Sequence, residues 1–256
     1  MIVVTNVTCA RELDIVLVLD QSTSIVAESW QNWYVRVLGF AKSIAGAFVI
    51  GRNMTQVGLM KFNETAEIVF HLNKYDDRQS LLNAIGNVAI VGGDTNIAAA
   101  LRTAREMMFT EQNGARPGVP KILILLTDGT ANFEESNTMP EANLTKAAGI
   151  KLYTVGVTHA VDEDQLRVMA SVPECFFFAP NFTLLNSVVQ QIVENSCNET
   201  ATTSELIKLC ITWRLTTADN IINGANILFD CLWRLNQYSS VYQTFNTGMT
   251  LTQCPL

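Results

Sequence analysis

Imidazole and paired thiols are scarce in this 256-residue chain. It holds two histidines, His71 and His159, and none of its six cysteines sits in a CxxC. A zinc site of the usual nitrogen and sulfur ligands therefore has no cluster to stand on. Basic charge is short as well: 17 Lys and Arg stand against 24 Asp and Glu, a net charge of −7. That balance leaves no basic patch for nucleic acid. There is no Walker A loop, no G-x-G-x-x-G after the first strand-like run and no G-x-S-x-G elbow. The common signatures of nucleotide-binding enzymes and hydrolases are thus missing, and no enzymatic activity is expected. A membrane span is not expected either. The longest charge-free apolar stretch, 175–193, is broken by Pro180, Asn181, Thr183, Asn186, Ser187 and two glutamines. Residues 1–10 lack the basic and apolar regions of a signal peptide, so Met1 is expected not to be the natural start, or the leader to have been removed.

What is present is a hydrophobic content of 48%, enough for a real core and, at this length, for one sizeable domain plus an appendage. The even cysteine count without metal spacing suits disulfides in an oxidising compartment. Six N-x-[ST] sequons, at Asn6, Asn53, Asn63, Asn143, Asn181 and Asn198, point the same way. A secreted, extracellular protein is the expectation.

Residues 14–20, DIVLVLD, form a β-branched apolar run ending in Asp, the pattern of a strand buried on both faces of a parallel sheet. PKILILLTD at 120–128 repeats it, and IKLYTVGV at 150–157 follows a helix stop at Gly149. QVGLMKF at 56–62 and AEIVFHL at 66–72 are separated only by Asn63-Glu64-Thr65, so they predict an antiparallel hairpin. Phe176-Phe177-Phe178 reads as a buried final strand. Helical patterns cover about 27–48, 77–88, 95–109, 138–148, 162–171 and 182–194. This alternation predicts an α/β fold: a doubly wound, mostly parallel six-stranded sheet of order 3-2-1-4-5-6, with one antiparallel edge strand and flanking helices. The alternation stops near residue 196. The expected organisation is a lead at 1–11, the α/β domain at 12–196 and a cysteine-containing extension at 197–256.

Three segments carry the chemistry: Asp20-Gln21-Ser22-Thr23-Ser24 after the first strand, Gly92-Gly93-Asp94-Thr95-Asn96 before a helix, and Thr127-Asp128-Gly129 after the fourth strand. In an open α/β sheet, ligands bind outside the carboxyl ends of the strands, where the winding reverses. Asp20 and Asp128 fall at that crevice. With Ser22, Ser24 and Thr95 they make an all-oxygen donor set, which selects Mg²⁺, with Mn²⁺ or Ca²⁺ as alternatives. The competing structural reading makes Asp20 and Asp128 helix caps, Ser22 and Ser24 turn residues, and Thr95 the cap of the helix after it. His71 is expected to be a packed or edge residue and His159 a solvated loop residue.

D-x-S-x-S, G-G-x-T and L-T-D-G in this order, over about residues 12–196, resemble the von Willebrand factor A family, extracellular matrix and adhesion type. The resemblance implies a metal-ion-dependent adhesion site in which Ser22, Ser24 and Thr95 coordinate directly and Asp20 and Asp128 act often through water. It further implies that an acidic residue of a partner protein, such as collagen or another matrix protein, completes the shell. Gln21 is larger than the glycine or serine usual at its position and is expected to alter access but not ligand count. Ile97 stands where many members carry a second threonine. Similar domains bridge their two ends, which implies a Cys9–Cys197 disulfide worth roughly 4–5 kcal/mol in the chain-entropy account. The pairing of Cys175, Cys210, Cys231 and Cys254 stays open.

Two other function classes remain beside adhesion. A Mg²⁺ site on an α/β sheet can serve phosphoryl transfer, but no lysine or histidine stands beside the Asp20 segment. Alternatively, the metal only stabilises the fold of a structural protein that assembles through its C-terminal segment, with Trp213, Phe229 and Trp233.

Overall fold

The computed structural model describes residues 9–28 and 32–198. Asn6, Cys210, Cys231, Cys254 and the extension from residue 199 lie outside the described residues.

The sheet has six strands in the order 3-2-1-4-5-6. β1 (Leu13–Asp20) lies at its centre and is buried along its whole length. It pairs in parallel with β2 (Thr55–Phe62) on one side and β4 (Lys121–Thr127) on the other. β5 (Ile150–Val157) and β6 (Phe176–Ala179) extend the parallel order. β3 (Ala66–Phe70) closes the opposite edge antiparallel to β2. Side chains alternate across a strand. Leu13, Ile15, Leu17 and Leu19 therefore enter one core with Trp33, Phe40, Ile44 and Ile192. Val16 and Val18 enter the other, with Met60, Leu101, Leu123 and Leu166. A strand buried on both faces needs the unbroken apolar run that DIVLVLD supplies.

The helices are α1 (Thr23–Glu28), α2 (Leu38–Gly46), α3 (Arg78–Gly86), α4 (Ile97–Thr103), α5 (Glu135–Ala147), α6 (Glu163–Met169) and α7 (Val189–Cys197). Asp77, Asn96 and Asp162 cap α3, α4 and α6 through their side chains. Three expected helices are less uniform than their periodicity suggests. The 27–48 pattern begins earlier, at Thr23, and passes through a π-helical stretch, Asn32–Val37, before α2. There Trp33 is drawn fully into the core and donates its Nε1–H to Val88 O. The 95–109 pattern ends as a π-helix over Ala104–Met108, and the 182–194 pattern opens as a 3-10 helix over Phe182–Val188. Periodicity near 3.6 does not separate these windings.

The expected strand over 66–72 stops at Phe70. The β2–β3 register shifts between Leu59 and Met60, and the chain then turns with Lys74 N–H donating to His71 O. His71 thus lies just past the strand and is half-buried. Cys9 and Cys197 are joined by a disulfide with Cα atoms 5.8 Å apart. It ties the segment before β1 to the end of α7. Cys175 is buried in the first core. Among the described residues, no helix is long and apolar enough to cross a membrane.

Candidate metal site

Asp20 ends β1 and Thr127 ends β4, neighbouring strands with Leu19 opposite Leu126. Sheet order reverses its winding between them, which opens the crevice at the carboxyl edge. Asp20 is fully buried. Its Oδ1 accepts from Ser22 N–H at 2.8 Å and its Oδ2 from the Thr127 hydroxyl at 2.5 Å. The Ser22 and Ser24 hydroxyl oxygens lie 3.0 Å apart, and Ser24 Oγ donates to Asp128 Oδ1 at 2.7 Å. Thr95 arrives from the loop before α4. A Cβ built on Gly129 would stand 3.8 Å from Thr95 Oγ1 and 3.9 Å from Ser24 Oγ, so both hydroxyls border the same space above Gly129. The structure thereby brings Asp20, Ser22, Ser24, Thr95 and Asp128 together from three segments.

The competing structural roles fare unequally. Asp20 closes a turn onto Ser22 rather than capping a helix. The cap of α4 is Asn96, whose Oδ1 accepts from Ala99 N–H, not Thr95. The two x residues of D-x-S-x-S have tasks that the sequence did not reveal. Gln21, expected to alter access, is turned inward at 2% exposure and accepts from Val91 N–H at 3.2 Å. Thr23 Oγ1 donates to Gly93 O and accepts from Gly93 N–H. Both therefore tie the Gly-Gly loop to the end of β1. Gly92 and Gly93 have φ of 90° and 129°, and a Cβ at Gly93 would stand 2.6 Å from Glu64 Oε2. Only glycine suits both demands.

Burial pushes the Asp20 carboxyl up to about 6, against the hydrogen bonds from Thr127 and Ser22 that favour its charge. The groups acting on it are hydroxyls and an amide, not a lysine or arginine. A buried carboxylate with no positive neighbour is costly to ionise. A divalent cation resting on the surrounding hydroxyls would supply the missing charge, so the residues present fit such an ion. Among the described residues, no three His, Cys, Asp or Glu side chains form a cluster. The site is thus one of hydroxyls and two carboxylates, the hard-oxygen type.

Around it, His159 is exposed and lies against Phe178 with ring centroids 5.1 Å apart. Of the sequons, Asn53, Asn143, Asn181 and Asn198 are exposed. Asn63 differs: it is half-buried, and its Nδ2 donates to Gly92 O at 2.7 Å. Of the side chains that brace the site, Thr127, Asn132 and Thr23 have no role assigned from sequence, and Gln21 is expected only to alter access. For Thr127 the signal was its place inside L-T-D-G. For Asn132 there was none beyond proximity to Asp128.

Residues 14–191 match the profile of the von Willebrand factor type A domain. Matrilin-3 of Gallus gallus is 30% identical over 192 residues, covering 73% of this chain and 41% of that protein. The collagen alpha-1(XII) chain of Notophthalmus viridescens is 31% identical over 193 residues, 75% of this chain and 20% of that one. The chain thus spans less than half the length of these relatives. A solved structure of proximal thread matrix protein 1 from the mussel byssus, with a zinc-occupied MIDAS motif, superposes with a TM-score of 0.70. It is 27% identical and covers 74% of this chain and 49% of that one.

Proposed function

From the premise that this chain belongs to the von Willebrand factor type A family, we propose that it is an extracellular matrix or adhesion module. It grips a protein partner through a divalent cation held by Asp20, Ser22, Ser24, Thr95 and Asp128. The observation that carries this proposal is the buried, positively unpartnered Asp20 carboxylate beneath a shared space bordered by Ser24 and Thr95. A bound cation would offer an exchangeable position to a carboxylate of the partner. The chain's own residues set the rest. Asp20, held from both sides by Ser22 N–H and Thr127, presents its charge from below. The Ser24–Asp128 hydrogen bond fixes the second carboxylate beside it.

Mg²⁺ is the ion proposed, with Mn²⁺ and Ca²⁺ beside it on donor chemistry. Because the mussel relative is described with zinc in its MIDAS motif, zinc belongs in the same titration. The names of the relatives support a matrix partner, collagen among them. Glycosylation at the exposed sequons Asn53, Asn143, Asn181 and Asn198, secretion, and the division near residue 196 into an α/β module and a cysteine-bearing extension belong to the same proposal. The test is binding of the full chain to immobilised collagen, and to a peptide with an exposed glutamate, in Mg²⁺ and in EDTA. Binding present in Mg²⁺, absent in EDTA and absent for Asp128→Ala is expected. Binding that persists unchanged in EDTA overturns the proposal.

A further inference from the structure

Thr95 contributes the one proposed ligand whose hydroxyl enters no hydrogen bond among the described residues, so its aim depends on how its backbone is held. Helix α4 does not hold it, because the helix begins two residues later, at Ile97. The grip comes from the loop after β4. Thr95 N–H donates to Asn132 Oδ1 at 2.7 Å, and Thr95 O accepts from Asn132 N–H at 3.1 Å and Phe133 N–H at 3.3 Å. Asn132 Nδ2 also donates to Asp94 Oδ1 at 3.3 Å, so this one residue spans both sides of the Asp94–Thr95 peptide.

The loop that carries Asn132 is itself locked. Glu134, two residues on, has φ of 49° and ψ of 34°, a left-handed conformation that non-glycine residues seldom adopt. Its carboxylate accepts from Asn96 Nδ2, Arg102 Nη2 and Asn137 Nδ2. Asn96 is 1% exposed, and its backbone N–H donates to Asn63 O. Thr95 and Asn96 are therefore clamped between the β2–β3 hairpin and the β4–α5 loop. The same β4–α5 loop begins with Asp128, so the clamp joins two of the three metal-site segments directly.

We infer that Asn132 is a positioning residue that fixes Thr95 Oγ1 at the metal site, with Glu134 holding the loop from which it acts. This rests on the metal assignment proposed above. Partners that orient metal ligands are worth on the order of 10–100-fold in metal affinity. The side chain of Asn132 touches no proposed ligand atom; it acts through the Thr95 backbone.

Calorimetric titration of Mg²⁺ into EDTA-stripped full chain tests this with Thr95→Ala, Asn132→Ala and the double variant. Asn132→Ala is expected to weaken Mg²⁺ binding roughly 10–100-fold. The double variant is expected to bind no more weakly than Thr95→Ala alone, since removing the hydroxyl leaves Asn132 nothing to aim. Asn132→Asp keeps the acceptor for Thr95 N–H but loses the donor to Asp94 Oδ1, so it is expected to bind Mg²⁺ between wild type and Asn132→Ala. Asn132→Leu, which keeps the volume and loses both bonds, replaces the alanine variant with the same expected loss should that one not fold. Additive losses in the double variant, or wild-type affinity for Asn132→Ala, overturn the positioning role while leaving the metal site standing. Wild-type affinity for Thr95→Ala removes Thr95 from the ligand set, and both assignments fall.

Discussion

Asp20→Asn isolates the charge on which the proposed metal site rests. The carboxyl is fully buried and raised from 3.8 to about 6 by desolvation. At about 1.4 kcal/mol for each pH unit, ionising it in the folded, metal-stripped chain costs about 3 kcal/mol of stability at neutral pH. The folded chain holds this proton more tightly than the unfolded one. Its contribution is therefore favourable below pH 3.8 and is lost as pH rises through about 6. Asparagine fits the same place. Its Oδ1 accepts from Ser22 N–H, and its Nδ2 donates to Thr127 Oγ1, which turns its own proton to the Gly129 carbonyl it already faces at 3.1 Å. Both amide atoms thereby keep a hydrogen-bond partner.

Melting curves follow directly. For a domain of this size, 1 kcal/mol moves Tm by about 2–4 °C. In EDTA at pH 7.5, Asp20→Asn is expected to melt roughly 6–12 °C above wild type. Near pH 4 the two curves converge, because wild-type Asp20 is then protonated. Added Mg²⁺ reverses the order: at about 1,000 times its dissociation constant it stabilises wild type by about 4.1 kcal/mol, more than the gap, and leaves the variant unmoved. An Asp20→Asn variant that melts at or below wild type in EDTA at pH 7.5, with no pH-dependent gap, refutes the claim that Asp20 carries an uncompensated buried charge.

Two further outcomes test the surroundings of the site. Replacing Cys9 and Cys197 together by serine opens a crosslink of sequence separation 188 and is expected to lower stability by roughly 4–5 kcal/mol. The variant should melt about 8 °C or more below wild type in a calorimetric scan, and unchanged melting refutes that contribution. Glycopeptide mapping of chain secreted from animal cells should find Asn53, Asn143, Asn181 and Asn198 occupied and Asn63 bare, because the Asn63 amide is half-buried and bonded to Gly92 O. Full occupancy at Asn63 would show that the hairpin does not close on the Gly-Gly loop in this way.

The sheet was legible from residue types because parallel central strands demand continuous β-branched apolar runs, and the chain offers such runs, each followed by turn-forming residues. The antiparallel edge was legible because three residues cannot cross over. Strand order followed from the alternation of strands and helices, and the meeting of Asp20 and Asp128 at the crevice from the rule for winding reversal. Helix windings were not legible, since π and 3-10 helices share the apolar spacing of α-helices within a few residues.

The site divides along the same line. The five proposed ligands stand at fixed spacings inside short segments, so residue type and local order reveal them. The residues that aim them do not. Thr127 reaches Asp20 across 107 positions and Asn132 reaches Thr95 across 37, and each works through contacts that no local pattern encodes. Gln21 follows the same rule: its size suggests altered access, while its partner, Val91 N–H, lies 70 positions away and the side chain is turned inward. A chain can therefore keep D-x-S-x-S, G-G-x-T and T-D-G intact and still lose the geometry that makes them a site. For this one, substitutions at Gln21, Thr23 and Asn132 should move metal affinity more than substitutions at the exposed surfaces of α3 or α6, although none of the three is a proposed ligand.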